Sequence, residues 1–92
     1  MRLVLKRALG AVLRAYRVKR NIPQEGMGPS QSYTSKLEAG RWSPTLGKIE
    51  QMAEVLGVHP ATIILAGYIK VEEKNVEALL SRIRSELEEI EL

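Results

Sequence analysis

Gln31, Ser32, Ser35 and Lys36 fall within a stretch that offers only Thr34 and Leu37 for burial, so a helix built from it turns short hydrogen-bonding side chains outward. A glutamine amide can donate and accept hydrogen bonds at adenine N7 and N6 together, a contact that contributes about 1–3 kcal/mol of base discrimination. Serine side chains at 32 and 35 are small enough to let a helix come close, and each hydroxyl can donate or accept. Lys36, Arg41 and the basic residues of the N-terminal stretch supply the positive charge that grips phosphates. Tyr33 has two uses open to it: stacking on a sugar-phosphate or thymine methyl surface, or filling a groove between helices.

Catalysis is poorly served by the same residues. There is one His, no Cys, no glycine-rich phosphate loop and no acid pair in an evident pocket. His59 precedes Pro60 at a helix start, where capping is its natural role. The expectation is a protein that is not an enzyme, with no metal site and no cofactor.

The net charge of +3 conceals a polarity along the chain. Residues 1–48 hold ten Lys/Arg against two Glu, whereas residues 49–92 hold four against nine. The front half suits a polyanion and the rear half does not. The first 20 residues are basic and free of acids. Lys6 and Arg7 interrupt what would be the apolar segment of a secretory signal, and although a mitochondrial presequence fits the composition better, the stretch is best used as a first helix. No apolar run approaches the roughly 20 residues of a membrane helix. Absence of cysteine excludes disulfides and thiolate metal sites and is compatible with a reducing cytoplasm, the expected location.

The elements that must position the polar row follow from periodicity. Leu5, Leu9, Val12, Leu13 and Tyr16 predict a first helix ending near Asn21 and Pro23. Two glycines and two prolines in residues 23–29 allow at most one or two helical turns. Ser30 is the expected N-cap of a short helix that stops at Gly40. Ser43 and Pro44 read as the cap and first-turn proline of another, with Leu46, Ile49, Met52, Ala53 and Leu56 inward and Gly57 as its stop. A further short helix runs from Pro60 through Leu65 to a stop at Gly67. Beyond residue 71, Val76, Leu80, Ile83, Leu87 and Ile90 repeat as the seam of a coiled coil, broadened by Leu79. That face either pairs with a second copy or packs on its own domain.

The strings QSYTSKLEAGR (31–41), SPTL (43–46) and EVLGVHP (54–60), with LRAYR (13–17) and IPQE (22–25) upstream, resemble the phage-repressor and Cro helix-turn-helix family, the XRE-type regulators. The resemblance covers residues 9–66. It implies a five-helix lambda-repressor-like domain in which residues 31–39 are the recognition helix, lying in the DNA major groove. By position Gln31, Ser32, Ser35 and Lys36 would meet base edges, Gln24, Tyr33 and Arg41 the DNA backbone, and Arg17 and Glu38 would form an ion pair tying the first helix to the third. One departure is plain. Gln24 and Gly28 are separated by three residues, about one helical turn fewer than the family usually has, so the second helix is cut to a stub with Met27 as the plug between helices.

The expected whole is all-α: a helix-turn-helix domain over residues 1–68 and an amphipathic C-terminal helix over 69–92 for dimerisation. The expected function is a sequence-specific regulator, a repressor, that binds double-stranded DNA as a homodimer on two half-sites. The alternative is an antitoxin-type module that sequesters a toxin or other small protein through its last helix. RNA binding fits less well, because the chain has no Phe and no aromatic cluster to stack unpaired bases.

Overall fold

The computed structural model describes residues 1–73 and 75–92. All regular structure among them is helical: α1 Leu3–Lys19, a 3-10 turn Gln24–Gly26, α2 Gln31–Glu38, α3 Leu46–Leu56, α4 Pro60–Glu72 and α5 Val76–Glu89. The core is aliphatic, with Leu9, Val12 and Leu13 of α1 meeting Leu37 of α2, Met52 and Leu56 of α3, and Ile63 of α4. Helical spacing on each segment places these residues on one face, and their burial is the main driving force for assembling helices too short to persist alone.

The stub is as short as the residue spacing implies. Only one 3-10 turn stands where a second helix would be, and Met27 fills the space beside it, fully buried. Ser30 caps α2, its hydroxyl accepting from the Tyr33 amide at 3.1 Å. At the other end Gly40 adopts φ +75°, which lets the Arg41 amide reach back to the Lys36 carbonyl at 3.0 Å. Thr34 and Leu37 are the buried residues of this helix, as its pattern requires.

Three expectations are corrected. The cap of α3 is Thr45, whose hydroxyl accepts from the Lys48 amide at 3.1 Å, so Ser43 and Pro44 lie ahead of the helix and Pro44 is buried in the connection. Leu46, at the helix's first position, is 71% exposed rather than inward. The helix after His59 does not stop at Gly67 but continues to Glu72, across the expected 68/69 boundary. Gly67 is internal because it faces α1: a Cβ there would stand 2.7 Å from Leu9 Cδ2. Its missing side chain leaves room for Leu9, and in sequence such a glycine looks like a stop signal. His59 does cap α4, with Nδ1 accepting from the Ala61 amide at 3.0 Å.

Helix α5 begins at the cap Asn75, whose side chain accepts from Ala78 at 2.8 Å. Leu79 is its one buried residue, seated with Val76 and Leu80 beside Tyr16, Leu65 and Ile69 around an apolar cavity of about 280 Å³. Farther along, Leu87 and Ile90 are exposed, Ile90 at 68%. The molecule reaches 41 Å along its longest axis against 24 and 22 Å across.

Candidate nucleic-acid interface

Helix α2 presents its polar row as expected. Gln31 and Ser32 are exposed, Ser35 and Lys36 half-buried, and all four line one shallow concavity with Ala39 and Arg41. The apolar side of α2 is pinned from behind by α1. A Cβ at Gly10 would stand 2.8 Å from the Glu38 carbonyl oxygen, so the two helices approach backbone to backbone.

Arg17 and Glu38 form the expected pair. Arg17 Nε donates to Glu38 Oε2 at 2.6 Å and Nη2 to Oε1 at 3.0 Å, with side chains 13% and 5% exposed. A third donor, Nη1, reaches the Ile22 carbonyl at 2.9 Å, tying the end of α1 to the segment before the stub. The hydrogen bond to Glu38 and its negative charge hold the Arg17 guanidinium above the ordinary arginine value, against an opposing effect of burial. The pair ties α1 to α2.

Glu38 also orients Gln24. A carboxylate only accepts, so Gln24 must turn its amide nitrogen toward it, at 3.0 Å. That leaves Gln24 Oε1 facing out, where it accepts from Gln31 Nε2 at 2.5 Å. The polarity runs from Arg17 through Glu38 and Gln24 to Gln31, each group fixing the next. Gln31 keeps Oε1 and one N–H free, the acceptor and donor that an adenine edge requires.

Tyr33 is half-buried and packed against the core, and burial pushes its phenol above the usual tyrosine value. Its ring also meets the exposed Trp42 at 5.4 Å between centroids. Trp42 and Lys48 are not among the expected site residues; a Trp directly after Arg41 is the available signal, and only the folded chain brings Lys48 over the Tyr33 ring. Arg41 is exposed at the rim. No group of three or more metal-ligating side chains occurs among the described residues.

A helix-turn-helix domain family matches residues 8–63, more than half of the 92-residue chain. The chain belongs to the helix-turn-helix family. This agrees with the resemblance carried by residues 9–66 and with the all-helical fold. The helix-turn-helix chain is 29% identical to an immunity repressor protein of Bacillus phage phi105, over 87% of this chain and 65% of that protein. It therefore spans about two thirds of the repressor's length. Among solved structures, the clp gene regulator ClgR from C. glutamicum superposes with a TM-score of 0.64 at 26% identity, covering 70% of this helix-turn-helix chain and 88% of that one. Both relatives are named as regulators. No single helix among the described residues is long and apolar enough to cross a membrane.

Proposed function

We propose that the chain is a sequence-specific regulator that binds double-stranded DNA in the manner of a repressor, with α2 in the major groove. The observation that carries this reading is the braced row of hydrogen bonds ending at Gln31, which offers a pre-oriented amide on an exposed helix face in the basic half of the chain. Ser32 and Ser35 read alongside it; Gln24 and Arg41 hold the flanking backbone. The names of the phage repressor and of the clp gene regulator support regulation of genes rather than catalysis. On this reading the protein works in the cytoplasm, with the DNA.

The reading includes a homodimer through α5. Leu80 and Leu87 are exposed, Ile83 is half-buried, and Ile90 at the helix's end is bare, an apolar seam that one subunit leaves uncovered. Charge favours an antiparallel pair: residues 84–92 carry Arg84 against Glu86, Glu88, Glu89 and Glu91, whereas residues 75–83 carry one Arg and one Glu. A parallel pair would set the acidic ends against each other. The same open seam is what an antitoxin-type module would use to hold a small protein, and a chain that remains monomeric alone while gripping such a partner would favour that second reading.

Selection of bound duplexes from a random pool tests the proposal. Enrichment of a two-fold symmetric site, with half-sites about one DNA turn or roughly 34 Å apart, is expected. Recovery of no common sequence would overturn it.

A further inference from the structure

Tyr33 and Lys36 of α2, Trp42 of the connection after it and Lys48 of α3 make a cluster, in which Lys36 is the one residue that the resemblance assigns to a base edge. Lys36 Nζ lies 4.7 Å from the centroid of the Trp42 ring, Lys48 Nζ 5.6 Å from that of Tyr33, and the two rings meet at 5.4 Å with their planes tilted by 54°. Trp42 is 42% exposed in spite of these contacts. Among the described residues neither lysine has a carboxylate partner; the ion pairs there are Arg17 with Glu38 and Arg82 with Glu86. Lys48 Nζ donates to Gln51 Oε1 at 3.3 Å, a neutral acceptor that leaves its charge uncompensated.

We infer that Trp42 and Tyr33 form an aromatic wall that holds Lys36 and Lys48 for phosphates of the DNA backbone, an inference that rests on the DNA-binding reading above. An ammonium laid over an exposed aromatic face is attracted to it only weakly, so the ring restrains the lysine without neutralising it. A long lysine stem loses rotamer freedom when fixed, and the wall removes part of that loss before DNA arrives. Phosphate, rather than a base edge, is the target because recognition helices read bases with their N-terminal residues. Gln31 and Ser32 open α2, whereas Lys36 lies in its last turn with its head drawn toward Trp42, outside the helix. Lys48, in the first turn of α3, extends the same charged edge. Trp42 is a positioning residue and the two lysines are the contacts.

The test uses a duplex of arbitrary sequence, titrated at a series of KCl concentrations, beside a duplex recovered by selection. Each phosphate contact adds about 0.9 to the slope of log affinity against log salt. Lys36→Ala and Lys48→Ala should each lower that slope by about 0.9 on both duplexes and leave base preference unchanged. Trp42→Ala should weaken both duplexes several-fold, with Trp42→Phe restoring most of the loss. Trp42 is the only tryptophan, and its fluorescence should become shielded from iodide when DNA binds. Full slope retained in Lys48→Ala, or relaxed base preference in Lys36→Ala, would overturn the wall while leaving the DNA-binding reading intact. A wild-type chain that binds no duplex would overturn both.

Discussion

The α-carbon of Gly10 faces the backbone of Leu37 so closely that a single added methyl group would overlap the Leu37 carbonyl oxygen. The backbone of α2 thus rests directly on α1, and the shortened segment before α2 does not leave that helix loosely held. What a second helix would have braced is braced here by that contact, by Met27 and by the Arg17–Glu38 pair.

Gly10→Ala should therefore destabilise the domain, against the trend for helix interiors. Alanine improves helix propensity by about 1 kcal/mol, but overpacking against rigid backbone costs about 1–3 kcal/mol. Urea unfolding should show a lowered midpoint; a raised one would mean that α1 and α2 can separate without loss.

Removing Glu38 should cost more than removing any charge on the surface. Glu38→Ala leaves the Arg17 guanidinium, 13% exposed, without its partner, a class of change that costs about 3–5 kcal/mol when the pair is fully buried. It also frees Gln24, so any variant that still folds should bind its selected site with blunted base preference. Unchanged stability in thermal unfolding would contradict the bracing role.

Gln31→Ala should relax preference at one base position per half-site by about 1–3 kcal/mol while leaving arbitrary-sequence binding and its salt slope alone. Competition between single-base variants of the selected duplex measures this. Preference retained at every position would remove Gln31 from the reading row.

Leu80→Asp combined with Leu87→Asp should convert a dimer to a monomer, because each puts a charge on the apolar seam. Light scattering gives the mass. Truncation should be made after Glu73, since α4 extends to Glu72 and an earlier cut would remove part of the domain's own helix. A dimer that survives the double substitution would place the interface elsewhere.

Alkaline pH should weaken the fold through Tyr33. Burial raises its pKa when folded, so the unfolded chain releases this proton first and stability falls as pH rises past the ordinary tyrosine value of about 10. Tyr33→Phe should show a smaller loss in urea midpoint between pH 8 and pH 11. An identical loss would mean that Tyr33 makes no such contribution.

The all-helical class, the core face of α1, the cap at Ser30, the stop at Gly40 and the Arg17–Glu38 pair were legible in the chain, because each depends on residue type at short spacing or on a familiar string. Thr45 as the cap of α3 was not, since Ser43 and Pro44 offer an equally good local signal and only burial of Pro44 in the connection rejects it. Gly67 carries the same lesson: a glycine after an apolar run reads as a terminus, but here it admits Leu9.

By itself the sequence determined which side of residues 31–38 is polar and which half of the chain is basic, because periodicity and charge are properties of order along the chain. Tertiary structure alone decided that Glu38 turns Gln24 and Gln24 turns Gln31, and that Trp42 and Tyr33 shelter Lys36 and Lys48. Hydrogen-bond direction and ring contact depend on distances between segments far apart in the chain, and those distances exist only once the helices have packed.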